Sequence, residues 1–319
     1  MDICIIICTY NRAPVLRDTL ESALAMHYPE GVQSEVLIVD NNSDDDTPAV
    51  SREFCTRVPG LFRYLREPRQ GLSIARNSGI RASRAEFIAF ADDDVYFDKG
   101  WLPEVLKAFC ETGAMCIGGR SIPHFDGGEP GWISPELLPI YGSTNSGDRV
   151  KRMIYPEFPY GLNMAFRRTV FDAVGPFNET LGRMRNSLMS SEEMELFHRI
   201  DRRQLPVFYT PHALIHHRIA ASRARKGWVL RRFYYQGISD AAFRQIVAPE
   251  GAFRLLRRFG GGLRHLIRLS CEMLGALLTG RADERERLRR LAWICRIWGA
   301  TGRTFDEMFR VTMRGRVTA

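Results

Sequence analysis

Three apolar runs in the first hundred residues each stop abruptly at a polar cluster. Residues 3–8 run into Thr9-Tyr10-Asn11-Arg12, Glu35–Val39 into Asp40-Asn41-Asn42-Ser43-Asp44-Asp45, and Glu86–Ala91 into Asp92-Asp93-Asp94. Each run has the length and make-up of a buried strand. Between them, residues 13–27 carry helical spacing through Val15, Leu16, Leu20, Ala23 and Leu24. Residues 47–57 read as a second helix, 62–65 as a short strand and 71–80 as a loop entering a helix. Strand and helix alternating at this spacing build right-handed β-α-β units, and so an α/β fold whose parallel sheet is covered on both faces. Ligands bind beyond the carboxyl ends of the strands in such sheets. Three polar clusters on one edge therefore mark that edge as the site.

The third cluster says most about chemistry. Alternate side chains of an extended segment point the same way, so Asp92 and Asp94 should share one target while Asp93 faces elsewhere. Two aligned carboxylates repel unless a positive charge lies between them, and a hard divalent cation, Mg²⁺ or Mn²⁺, suits that place. A solvated acidic turn or a helix cap accounts for this stretch, taken alone, equally well. Asp40 stands where nucleotide-binding sheets place an acid for ribose or base contacts. Arg76 and Asn77 lie near a helix start, where a guanidinium and backbone N–H groups could hold a phosphate or a base edge. No G-x-G-x-x-G or P-loop lysine motif occurs, which argues against a dehydrogenase or a P-loop ATPase.

Taken in order, Cys8-Thr9-Tyr10-Asn11-Arg12, the Ile38–Asp45 cluster, Ile74-Ala75-Arg76-Asn77-Ser78-Gly79 and Phe90-Ala91-Asp92-Asp93-Asp94 resemble the successive motifs of glycosyltransferase family 2. The resemblance spans about residues 3–217 and implies a GT-A fold, a nucleotide-sugar donor and inversion at the anomeric carbon. It implies that Thr9, Asp40 and Arg76 hold the nucleotide sugar, in the company of Asn11, Arg12, Asn77, Asp92 and Asp93. It matches Asp92 and Asp94 to the family's metal and diphosphate motif. The chemistry agrees: a divalent ion neutralises the departing diphosphate, and one general base takes the acceptor's proton.

The middle of the chain should supply that base. Residues 114–120 read as a strand ending in Gly118 and Gly119, and 121–159 as a long Pro- and Gly-rich loop with Trp132, Tyr141 and Tyr155. Residues 160–168 resemble the family's small-residue strand beneath the acceptor. Ser190-Ser191-Glu192-Glu193 opens an amphipathic helix whose acids also suit a helix N-terminus. In the family an acidic pair stands here and its second member is the base. That member is Glu193, one methylene longer than the family's Asp, with Glu192 as the alternative. His216 and His217 end the last strand region. The resemblance favours His217 as a third metal ligand, with His216 as its alternative and diphosphate contact equally compatible.

Beyond residue 217 the composition shifts. From Arg218 onward there are 22 basic against 8 acidic residues, so the net charge of +8 belongs to the tail. The expected domains are therefore residues 1–217, catalytic, and 218–319, a basic, mainly helical extension. Helices are expected at 228–244, 253–278 and 283–298, broken by Gly260-Gly261-Gly262 and Gly280. Their stripe carries Leu255, Leu256, Leu263, Leu266 and Ile267, with arginines on the other face. Such helices pack on their own domain or lie on anionic lipid, and the arginine excess tilts the reading towards peripheral membrane contact. That would suit a hydroxyl acceptor built on a lipid carrier.

The seven cysteines are scattered and fit reduced core residues of an intracellular protein. The apolar start reads as a first strand rather than a signal peptide, and no window reaches the ~18–20 apolar residues of a membrane span. The expectation is a cytoplasmic enzyme able to work at the inner face of the membrane. The tail lacks the aromatic platforms or recognition motif of a nucleic-acid binder. A sugar nucleotidyltransferase would carry a glycine-rich basic loop after strand one. Intact Asp92, Asp94 and Glu193 speak against a non-catalytic nucleotide-sugar binder.

Overall fold

The computed structural model describes residues 2–184, 187–278 and 283–317. The chain divides into two compact units. The first comprises Met1–Asp126, Tyr141–Arg185 and Glu192–Ile219, and the second Gly127–Ile140, Asn186–Ser191 and Ala220–Ala319.

The first unit begins with β1 (Ile3–Thr9), α1 (Ala13–Leu24), β2 (Ser34–Asp40), α2 (Thr47–Arg57), β3 (Phe62–Arg66), α3 (Leu72–Ala82) and β4 (Phe87–Asp92). It continues with β5 (Val95–Phe97), α4 (Trp101–Thr112), β6 (Cys116–Phe125), β7 (Lys151–Met153), β8 (Asn163–Arg167), α5 (Thr169–Val174), α6 (Glu192–Arg202) and β9 (Val207–Ile219). These strands form one sheet in the order β3-β2-β1-β4-β8-β6-β9-β5, with β7 on β9. β3, β2, β1 and β4 run parallel; β8 then lies antiparallel to β4 and β6, while β6 and β9 are parallel to each other.

The uninterrupted apolar run of β1 follows from this arrangement, because both faces of the sheet are covered. Ile3, Ile5 and Ile7 face a cluster with Leu16 and Leu20 of α1, Phe54 of α2 and Trp101 and Phe109 of α4. Cys4 and Ile6 face another with Ala75 and Ile80 of α3, Phe171 of α5 and Leu196, Phe197 and Ile200 of α6. Each fully buried Ile or Leu contributes about 1.5–3 kcal/mol.

Register sets the edge where the polar clusters meet. Thr9 pairs with Asp40 and Cys8 with Asp92, so β1, β2 and β4 end together. Chain order reverses on either side of β1, with β2 beside it one way and β4 the other, which opens a crevice at their carboxyl ends. β8 runs the opposite way, Ala91 against Asn163, and brings Gly161 to the same edge. Pairing of Val95 with His217 brings the far end of β9 there too.

Two expectations are corrected here. β6 does not end at Gly118 and Gly119; it runs on to Phe125, with a register shift between Gly119 and Arg120. A side chain at Gly119 would strike the Asn163 amide and the Ala213 carbonyl, so the glycine marks a close approach rather than a stop. The cysteines are not mainly core residues: Cys4 and Cys116 are buried, but Cys110 and Cys271 are exposed.

The second unit is helical: α7 (Lys226–Val247), α8 (Ala252–Leu278) and α9 (Glu284–Val317). α7 and α9 approach closely at Gly237 and Gly299, where any Cβ would meet the backbone of Arg296 or Tyr234. The ring pairs Phe233–Trp293 and Tyr234–Trp298 and the Arg296–Asp240 ion pair flank that crossing. Hydrogen bonds from Arg285 to the Gly131 carbonyl and from the Ser190 amide to Ser239 tie the two short segments to these helices. The Gly260–Gly262 run does not break α8, because Gly262 lies against Thr301 and Phe259 against Phe305 of α9 (ring centroids 5.4 Å). Tertiary packing outweighs the low helix propensity of glycine. Gly280 lies outside the described residues. Among the described residues, no helix is long and apolar enough to cross a membrane.

Candidate active site

Two arginines organise the edge. Arg12, in the turn after β1, donates to Asp93 at 2.8 Å and to Asp94 at 2.9 Å. Thr9 Oγ1 donates to the second oxygen of Asp93 at 2.7 Å, and Thr19 Oγ1 to its carbonyl at 2.8 Å. Burial pushes the Asp93 carboxyl up to about 6 against the pull of Arg12, with the charge of Asp94 adding to the rise. Arg12 is in turn held protonated, first by Asp93 and against its own burial.

The alternation expected across Asp92-Asp93-Asp94 is therefore corrected. Asp93 and Asp94 share Arg12, while Asp92 stands apart, its side chain 35% exposed and 3.8 Å from Arg76. Strand geometry ends at Asp92, and the next two residues form the turn into β5, so period-two reasoning does not reach them.

Arg76, on α3, is the second hub and is fully buried. It lies 3.1 Å from Glu192 and 3.3 Å from Glu193 at the start of α6, with the rings of Phe177 and Phe90 at 5.3 and 6.0 Å. The two acids differ in environment: the Glu192 side chain is 3% exposed and that of Glu193 17%. Burial first, and the charge of Glu193 second, push the Glu192 carboxyl up to about 8 despite Arg76. At neutral pH its burial therefore favours the protonated form of Glu192. A side chain at Gly161 would collide with both Arg76 and Glu193. The absence of one there allows the pair to form.

His217 is oriented by its other nitrogen. Nδ1 lies 2.6 Å from the Tyr141 carbonyl, which can only accept, so Nδ1 carries the hydrogen. Nε2 lies on the other side of the ring, 3.2 Å from Asp94 Oδ1. His216 precedes His217 on β9 and so points to the opposite face of the sheet. Among the described residues, no group of three or more His, Cys, Asp or Glu side chains is gathered to hold a metal ion. The facing imidazole nitrogen and carboxylate oxygen are nevertheless the donor types that Mn²⁺ and Mg²⁺ sites draw on, and they fit such an ion.

Other expected contacts have structural partners. Asp40 accepts from the Ser43 amide and from Tyr64 Oη, both at 2.8 Å, and is fully buried. Asn11, in the left-handed region at φ 52°, links the two crevice loops through Ser43 and Asp44. Asn77 exchanges hydrogen bonds with the backbone of Phe177 and reaches Glu179. Sequence reasoning missed Gly161 and Asn163 as site-shaping residues. Asn163 accepts from Trp101 Nε1 and donates to the Arg120 and Ala213 carbonyls, which fixes the start of β8. Both stand inside the Tyr160-Gly161-Leu162-Asn163 stretch, where small and amide residues in an apolar strand were the available signal.

An α/β sheet with its acids at one carboxyl edge, plus an arginine-held carboxylate pair from a later helix, defines a GT-A transferase acting on nucleotide sugars. The chain belongs to glycosyl transferase family 2, whose model matches residues 4–175. It is 27% identical over 238 residues to the succinoglycan biosynthesis protein ExoM of Rhizobium meliloti, covering 72% of this chain and 71% of that one. It is 24% identical over 243 residues to the glucosyl-dolichyl phosphate glucuronosyltransferase of Haloferax volcanii, covering 75% and 76%. In structure it resembles the mannosyltransferase PcManGT from Pyrobaculum calidifontis, solved with GDP-Man and Mn²⁺, with TM-score 0.65 at 18% identity over 96% of this chain and 87% of that one.

Proposed function

We propose that this chain transfers a sugar, with inversion, from a nucleoside diphosphate to a hydroxyl of a glycan or lipid-linked glycan, with Glu193 as the general base. The observation that carries the reading is the unequal acid pair on Arg76: Glu192 is buried with its carboxyl pushed up, and Glu193 lies nearer solvent. A base must be reachable by the acceptor, and of the two acids Glu193 is the more exposed. Arg76 orients its carboxylate, and Gly161 leaves room for that contact.

Asp94 and His217 would hold a divalent ion, with Asp92 completing the acidic edge. Bound there, the ion would neutralise charge on the departing diphosphate. Arg12 keeps Asp93 and Asp94 in place, and Thr9 orients Asp93. Asp40, with Asn11 and the Asn41–Asp45 loop, would form the nucleoside end of the crevice, while Asn77, on α3, ties that helix to the Phe177 backbone. Mn²⁺ is favoured over Mg²⁺ by the imidazole donor and by its presence in the mannosyltransferase structure. The names of the two relatives, one in polysaccharide biosynthesis and one acting on a dolichyl phosphate glycan, support a polymer or lipid-phosphate acceptor. Such an acceptor calls for work at a membrane surface.

The test is thermal stabilisation by UDP-, GDP- and dTDP-sugars, each with Mn²⁺ and with chelator. A donor binding the native state raises its apparent stability by mass action. Metal-dependent stabilisation by one nucleotide class is expected; no response to any of them would overturn the reading.

A further inference from the structure

The apolar stripe of α8 is divided by the fold. Leu255 and Met273 are buried, and Gly262 and Phe259 meet α9. The rest of the stripe faces outward: Phe253 is 72% exposed, Ile267 58% and Leu274 57%, with Leu256 and Leu263 about half exposed (52% and 47%). Leu256, Leu263, Ile267 and Leu274 recur at intervals of seven, four and seven, which on a helix of 3.6 residues per turn is one straight row. Arg257, Arg264 and Arg268 each follow a member of that row by one residue and form a second exposed row beside it. Where Gly260 and Gly261 contribute no side chain, the surface opens into a concavity of about 820 Å³. It is lined by Glu250, Arg254, Arg257, Arg258, Gly260 and Arg264. Of these four arginines only Arg258 forms a salt bridge among the described residues, to Glu250.

We infer that α8 docks on an anionic phospholipid bilayer. Leu256, Leu263, Ile267 and Leu274 enter the acyl boundary, and lipid phosphates fill the arginine-lined concavity over the glycines. This deepens the reading of a membrane-surface acceptor but stands on the helix alone. Charge decides the occupant. A second copy of this face would set Arg257, Arg264 and Arg268 against their own kind, whereas phosphate headgroups meet them with opposite charge. A nucleic acid would satisfy the arginines but leave Leu256, Leu263, Ile267 and Leu274, none of which can stack a base, facing water. A helix lying in the interface plane wants what α8 offers: apolar side chains and arginines side by side on one outward surface.

The experiment is co-sedimentation of the full chain with vesicles of mixed phosphatidylglycerol and phosphatidylcholine, and with phosphatidylcholine alone. Binding to the mixed vesicles, weakened by salt, is expected. Leu263→Ser with Ile267→Ser should reduce partitioning by about tenfold per side chain. Arg257→Ala with Arg264→Ala should reduce it by about fivefold per arginine. All four positions are exposed, and unchanged circular dichroism certifies the fold; should the serine pair misfold, Phe253→Ser at the helix start reads the same contact. Equal binding by wild type and variants would overturn the inference, as would no binding to the mixed vesicles. A lipid-free dimer lost in the serine variant would overturn it in favour of a second copy, and displacement of protein from vesicles by a single-stranded RNA in favour of nucleic acid. Donor-induced thermal stabilisation in the same variants stays at the wild-type value. Its absence in wild type would bear on the transferase reading and not on α8.

Discussion

His217 turns its Nε2 to within 3.2 Å of Asp94 Oδ1 because its Nδ1 is committed to the carbonyl of Tyr141. The bond on one side of the ring thus decides what the other side can bind. His217→Ala should weaken the Mn²⁺ dependence of donor-induced stabilisation by about tenfold to a hundredfold. His216→Ala, on the opposite face, should leave it unchanged. A thermal-shift titration of Mn²⁺ at fixed donor separates the two; equal effects would remove His217 from the metal.

Gly161 is the position where space rather than chemistry controls the site. Gly161→Ala places a methyl group against Arg76 and Glu193, two side chains that cannot both retreat while Arg76 also holds Glu192. The expected outcome is a stability loss of about 1–3 kcal/mol and a fall in turnover of about a hundredfold. Chemical denaturation and initial rates measure the two effects; wild-type turnover would show that the Arg76–Glu193 contact is dispensable.

The buried acid has a consequence for stability against pH. Glu192 is raised from 4.5 to about 8, by burial first and by the charge of Glu193 second. A carboxyl that holds its proton more tightly when folded gives stability that is full below the unfolded value and lost as pH climbs through the folded one. Asp93 acts in the same sense over a lower window, ending near its raised value of about 6. The metal-free protein should therefore lose melting temperature between about pH 5 and pH 9, and Glu192→Gln should flatten the upper part of that decline. An unchanged slope in Glu192→Gln would mean that Glu192 is already ionised at neutral pH.

Much of the first unit was legible because its signals are local. The runs that became β1, β2 and β4 are apolar without alternation, as strands buried on both faces must be, and each ends in the polar residues that form the edge. The Glu192–Glu193 pair was legible through its place at a helix start. What could not be read was which partner each polar group would find. Arg76 finds Glu192, 116 positions away, and Asn77 finds Phe177, 100 away. Nothing near Arg76 or Asn77 in sequence separates a phosphate contact from an internal one. The Asp93-Asp94 turn escaped because strand periodicity was carried two residues too far. The glycines of α8 misled for a related reason: propensity marks them as a break, while the neighbour that keeps the helix intact, Thr301, is 39 residues further on.

The most direct measurement compares the turnover of Glu193→Gln and Glu192→Gln, each with donor binding followed by thermal shift in the same preparation. If Glu193 is the base, Glu193→Gln should lose about 10²–10⁴-fold in transfer while donor-induced stabilisation is kept, and Glu192→Gln should stay within about tenfold of wild type. Wild-type turnover by Glu193→Gln, or a collapse confined to Glu192→Gln, would contradict the assignment.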